Sequence, residues 1–237
     1  MKPPSTKKKK PAAKKPSAKK PTARRATGKK SAGKKAWIKW GIIAAVVGVV
    51  AFSGFYFSKR VNWNPSHTVG EALDSLDGVA VYYNGGVSQN HGRNMVDGYN
   101  VGIKFQCVEF VKRYYLEHYN HKMPNVYGHA KDFFDPELKD GAINGARGLR
   151  QFKNGSRSHP QVGDLLVWGP TTWNAYGHVA IVSKVIDDEK ADRHEIEYIQ
   201  QNPGPFGKPR EKLRFRDDRT TYRLADSRLL GWLRLPK

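Results

Sequence analysis

The chain has 237 residues, with 42 Lys and Arg against 21 Asp and Glu and a formal net charge of +21. The excess is local: 15 of the basic residues lie within residues 1–36, which hold no acid, while residues 60–237 carry all 21 acids. This excludes a protein that coats nucleic acid along its whole length. The one cysteine, Cys107, excludes a disulfide scaffold within the chain.

Residues 1–36 consist mainly of Lys, Ala, Pro, Ser and Thr, with Pro3, Pro4, Pro11, Pro16 and Pro21 spaced through them. Such a segment buries too little apolar surface to offset the entropy of ordering it, so a disordered basic tail is expected. Its charge suits anionic lipid or nucleic acid, or serves only as a topology signal.

Residues 37–59 form the next zone. From Trp40 to Ser58 there is no charge, and Ile42 to Phe52 is apolar throughout. As a helix this stretch reaches about 28 Å at ~1.5 Å per residue, close to a hydrocarbon core of about 30 Å. Trp37, Trp40, Phe55, Tyr56 and Phe57 stand at its two ends, where amphipathic rings favour the interface. A buried globular helix would show a polar face, and none is present. The basic leader is long for a cleaved signal peptide. The expectation is an uncleaved single-span anchor, with the basic tail retained in the cytoplasm and the remainder exported.

After a linker at 60–67, residues 68–237 are expected to form one domain. Thr68, Val69, Gly70 and Glu71 have capping-box spacing and predict a short helix through Leu76. Val79–Tyr83 predicts a strand ending at the turn Asn84-Gly85-Gly86. Val108–Tyr119 predicts a helix with Val108, Val111 and Tyr115 on one stripe. Residues 125–160 read as loop-rich. Asp164–Trp168, Val179–Val185, Glu195–Ile199 and Leu229–Leu235 predict strands, and the polar run Asp187–Asp192 a hairpin connection. The charged run Lys208–Arg219 reads as a solvated strand or loop face. Helices followed by strands argue an α+β domain with an antiparallel sheet.

Cys107 falls at the start of the predicted helix. The helix dipole and the unpaired amides of a first turn favour thiolate, the nucleophilic form. His178 begins an alternating strand, and Gly177 before it permits close backbone approach. In Tyr198-Ile199-Gln200-Gln201-Asn202-Pro203-Gly204, Gln200 and Asn202 share a face if the strand continues. Paired with the strand at His178, either can reach the imidazole and fix its tautomer.

Six ordered blocks now resemble a known family. They are Gly78–Gly85, Phe105-Gln106-Cys107-Val108-Glu109, Gly163–Trp168, Gly177–Val182, Gln201-Asn202-Pro203 and Leu230-Gly231-Trp232. The domain resembles the CHAP family, cysteine- and histidine-dependent amidohydrolases/peptidases of the papain-like superfamily. It is most similar to the amidase domain of glutathionylspermidine synthetase/amidase. The resemblance implies a papain-like fold in which an N-terminal helix set packs on the sheet. It implies Cys107 as nucleophile and His178 as general base and acid. The orienting position, usually a carboxylate, is Gln200 here, with Asn202 completing the candidate site. The backbone N–H of Cys107 is the expected oxyanion donor, assisted by Gln106.

No metal or cofactor is expected. His118, His121 and His129 lack the accompanying ligands of a zinc site. The resemblance and the anchor together imply a thiol amidohydrolase on the outer side of a bacterial cytoplasmic membrane, cleaving an amide in cell-wall peptides. The alternatives are an amidase of a glutathione–polyamine-type conjugate and a catalytically silent wall-binding module.

Overall fold

A computed structural model describes residues 31–188, 193–204, 206–217 and 220–236. The expected basic tail therefore lies outside the described residues as far as residue 30, as does most of the connection at Asp187–Asp192. The chain divides into two units, Met1–Val50 and Ala51–Lys237, each described by itself.

Helix α1 spans Ser31–Ser58. Its stretch Ala36–Ser58 has a mean hydropathy of 2.0 and is long and apolar enough to cross a membrane. Ile42, Ile43, Val46, Val47, Val49 and Val50 are all exposed, so this stretch of the helix is apolar all round, as an anchor requires.

The second unit is α+β. Strands β1 (Ala72–Leu76) and β2 (Val79–Tyr82) form an antiparallel hairpin. The helix expected after Thr68 is therefore a strand. The capping contact exists, with the Thr68 amide donating to Glu71 Oε2 at 2.8 Å. However, Gly70 takes φ +85° and the chain turns into the hairpin. Asp77 and Gly78 both have positive φ, 50° and 83°, the geometry of a two-residue hairpin turn matched to strand twist. A second hairpin, β3 (Arg93–Val96) and β4 (Tyr99–Ile103), turns the same way on Asp97-Gly98.

Helix α2 (Cys107–Tyr119) follows and ends where Asn120 adopts the left-handed conformation. Among the described residues, the other helical segments of the second unit are the end of α1 and one 3₁₀ turn (Ala130–Phe133). The loop-rich region contains two short strands, β5 (Ile143–Asn144) and β6 (Leu149–Lys153). Then come β7 (Leu165–Trp168), β8 (His178–Asp188), β9 (Arg193–Ile199), β10 (Arg210–Asp217), β11 (Tyr222–Leu224) and β12 (Leu229–Arg234). They form an eight-stranded sheet in the order β11-β10-β9-β8-β7-β12-β6-β5, antiparallel at every junction.

Alternation along the strands creates two apolar faces. Leu165, Val167, Val179 and Ile181 pack with Phe110, Val111, Tyr114 and Tyr115 of α2. Leu166, Ala180, Val182, Ile196 and Trp232 form the opposite cluster. Each such fully buried large side chain contributes about 1.5–3 kcal/mol. The first cluster seats the start of α2 against β8, and that contact positions the candidate site.

Candidate active site

Cys107 is the first residue of α2. Phe105 takes φ +66° and Gln106 is extended, with φ −90° and ψ 155°, so the chain turns sharply and the helix begins at the cysteine. A bulky residue at positive φ costs on the order of 1–3 kcal/mol, a strain that clusters at functional sites. No side chain caps this helix start, so its first N–H groups lack the usual partner. The thiol is partly buried against the α2–β8 core. Burial pushes it up to about 11, against the opposing pull of the backbone N–H groups of Val179, Val108 and Cys107 itself. The helix start was expected to lower this value; desolvation outweighs it.

His178 opens β8 opposite Trp168. Gly177 has φ +77°, and a Cβ there would lie 2.5 Å from the Trp168 carbonyl oxygen and 3.0 Å from the Lys131 nitrogen. Only glycine lets the chain enter β8 at this point. His178 Nε2 lies 2.9 Å from Gln200 Oε1. The Gln200 amide is oriented by its own Nε2, which donates to the Lys208 carbonyl at 3.0 Å. Gln200 Oε1 therefore accepts, His178 Nε2 donates, and the free lone pair sits on Nδ1. Burial pushes the ring down to about 4, partly offset by the Gln200 bond. At neutral pH the two groups stand as thiol and neutral imidazole. Among the described residues no hydrogen bond joins the sulfur to the ring. The backbone amide of Val179, which directly follows His178, donates to the sulfur.

Asn202 sits elsewhere. Its Nδ2 donates to the Val87 carbonyl at 2.8 Å and to Gln106 Oε1 at 2.7 Å, and it makes no bond to His178 among the described residues. Gln106 Nε2 in turn donates to the Val87 and Gln89 carbonyls at 3.2 and 2.8 Å. Its amide hydrogens are thus engaged with the 84–89 loop rather than aimed at a substrate oxygen, contrary to the expected oxyanion role. The pair braces the residue preceding Cys107.

Two residues absent from the sequence-based candidate site complete the scaffold. Gln201, fully buried, accepts from the Tyr82 amide at 2.8 Å and donates to the Gln106 carbonyl at 3.0 Å and to Glu109 Oε2 at 2.9 Å. Glu109, also buried, receives Asn94 Nδ2 at 2.8 Å and Arg113 Nε at 2.7 Å. The two neighbouring glutamines just past β9 thus serve different partners. Gln200 holds the histidine, and Gln201 holds the helix start that carries the cysteine. The Gln-Cys-Val-Glu motif contained Glu109, but a helical glutamate ordinarily reads as solvated.

The remaining histidines are dispersed. His118 Nε2 lies 3.6 Å from Asp77, His121 Nε2 is 2.8 Å from the Arg147 carbonyl, and the His129 ring lies 4.6 Å from that of Tyr176. Among the described residues no group of three His, Cys, Asp or Glu is placed to hold a metal.

Residues 96–202 match the model of the CHAP domain family. Over 148 residues the chain is 28% identical to the bifunctional glutathionylspermidine synthetase/amidase of Escherichia coli, covering 60% of this chain and 23% of that protein. Over 96 residues it is 30% identical to trypanothione synthetase of Crithidia fasciculata, covering 40% of this chain and 15% of the relative. The chain thus spans less than a quarter of the length of these curated relatives. The crystal structure of the endolysin LysIME-EF1 aligns with a TM-score of 0.34 at 20% identity, covering 62% of this chain and 59% of that one.

Proposed function

We propose that this CHAP-domain chain is a membrane-anchored cysteine amidohydrolase whose catalytic pair is Cys107 and His178, with Gln200 orienting the ring. The supporting observation is the fixed tautomer: His178 Nε2 bonded to Gln200 at 2.9 Å, with Nδ1 left as base next to the strand that abuts the thiol. In this reading the chain is organised as a basic tail at 1–36, an anchor at 37–59, a linker at 60–67 and the hydrolase domain at 68–237. The domain faces the outer side of a bacterial cytoplasmic membrane.

The chemistry follows from two neutral partners. Nδ1 of His178 takes the Sγ proton as sulfur attacks the amide carbonyl carbon. The uncapped amides at the start of α2, that of Cys107 first, face the developing oxyanion. The imidazolium gives its proton to the leaving nitrogen, the C–N bond breaks and a thioester remains. Water, deprotonated by the same ring, attacks the thioester, releases the acid and restores the thiol.

An exported site meets amides of cell-wall peptides, and these are the proposed substrates. The similarity to glutathionylspermidine synthetase/amidase favours a second substrate, a glutathione–polyamine-type amide. The neutral Gln200 favours a third reading, a silent wall-binding module, because an amide stabilises imidazolium less than a carboxylate does. Digestion of purified muropeptides by the full chain, with Cys107→Ser as control, separates these readings. Amide cleavage by the unaltered chain alone supports the proposal. Intact muropeptides with cleavage of the polyamine conjugate support the second reading, and neither reaction supports the third.

A further inference from the structure

Trp173, in the loop joining β7 to β8, is 72% exposed. It is fastened to the end of the apolar helix in two ways. Its carbonyl accepts from Lys59 Nζ at 2.9 Å, and its ring centroid lies 5.8 Å from that of Phe55. Lys59 Nζ also stands 4.4 Å over the Phe55 ring, and the Arg60 guanidinium 3.8 Å over Tyr56. The backbone is fixed as well. The Lys59 carbonyl accepts from the Ser88 amide at 3.0 Å and the Arg60 carbonyl from Gln89 Nε2 at 2.6 Å. A Cβ on Gly86 would fall 2.7 Å from the Lys59 carbonyl oxygen and the Arg60 carbonyl carbon, so the segment also lies directly on the 84–89 loop between β2 and β3.

The result is an exposed cluster of one indole, two further rings and two cations, continuous with a helix apolar enough to span a bilayer. Indole and phenol rings partition to the interface, and Lys and Arg at a helix end carry their charge to the headgroups. Cations there gain further from anionic lipid. We propose that the 169–177 loop is a second membrane contact, with Trp173 seated among lipid headgroups beside Phe55, Lys59 and Arg60. The same loop ends at His178, so the contact bears on the wall of the proposed site. This inference rests on the anchoring reading above.

The test uses the full chain with Cys107→Ser, reconstituted in phosphatidylcholine–phosphatidylglycerol vesicles. Single cysteines Trp173→Cys, Val47→Cys and Val162→Cys each receive an environment-sensitive fluorophore. Val47 lies in the apolar stretch; Val162 is exposed at the other end of β7. Nitroxide lipids then quench from the acyl chain or the headgroup. The expected result is acyl-chain quenching at 47 and headgroup quenching at 173 several-fold stronger than at 162. Quenching at 47 with equal, weak quenching at 173 and 162 overturns the second contact and leaves the anchor standing. Absence of quenching at 47 overturns the anchor, and the second contact with it.

Discussion

His178 and Gln200 are joined across β8 and β9 by a 2.9 Å bond between Nε2 and Oε1, and the Lys208 carbonyl fixes which end of the amide the ring meets. A neutral orienting group sets the tautomer without adding charge. Gln200→Ala is expected to lower kcat by about ten- to a hundredfold, less than the about 10²–10⁴ of a whole acid–base group, with little change in KM. Gln200→Glu places a carboxylate beside the ring and raises the His178 pKa from about 4, moving the acidic limb of kcat/KM upward. Steady-state pH profiles check both. An unmoved acidic limb in Gln200→Glu contradicts the assignment.

The thiol titrates from a depth that favours its neutral form. With its pKa at about 11, the rate of Cys107 alkylation by iodoacetamide is expected to rise about tenfold per pH unit between about 7 and 10. A plateau near neutral pH would reveal a preformed thiolate instead. Because the chain holds one cysteine, mass spectrometry of the intact protein reads the rate without interference.

Acid weakens the fold through the same ring. His178 binds its proton near pH 4 when folded, against 6.5 for an ordinary imidazole. The unfolded chain therefore takes up that proton first as pH falls. The stability owed to the neutral ring is complete above pH 6.5 and is lost between 6.5 and 4, on the order of 3 kcal/mol in all. Urea unfolding of the full chain in detergent, compared with His178→Gln, measures it. The two proteins should diverge over this window, the variant losing less.

Gly177 tests the entry to β8. Alanine there must take a positive φ and push against the Trp168 carbonyl. Gly177→Ala is expected to cost about 1–3 kcal/mol and to abolish most activity by displacing His178. A lowered melting temperature with full kcat would contradict this positioning role.

Glu109 tests the scaffold beneath the cysteine. Glu109→Ala leaves Arg113 buried without its carboxylate and frees Asn94 and Gln201. A loss of about 3–5 kcal/mol is expected, while Glu109→Gln, which keeps an acceptor, loses less. Thermal unfolding gives the comparison.

Much of this arrangement was legible in the residues because period and punctuation agreed. Helix α2 follows from its apolar stripe, β8 from its alternating Val and Ile, and β7 and β12 from short apolar runs of Leu, Val and Trp. What was missed had local signals that pointed elsewhere. Thr68 and Glu71 do make their capping contact, yet Gly70 turns the chain into a strand. The dipeptides Asp77-Gly78 and Asp97-Gly98 are hairpin signals, but β1, β3 and β4 beside them are short and half polar. Gln201 and Glu109 show their role only once β2, α2 and β9 converge in space. At Cys107 burial outweighs the first-turn field that favours thiolate, a balance set by packing that the local residues do not reveal.

The most direct measurement is intact-mass analysis of the full chain quenched in acid during turnover of an amide substrate. The account predicts an acyl adduct on Cys107, released by hydroxylamine, absent in Cys107→Ser and scarce in His178→Ala. Turnover that continues in Cys107→Ser, with no adduct on the unaltered chain, would contradict it.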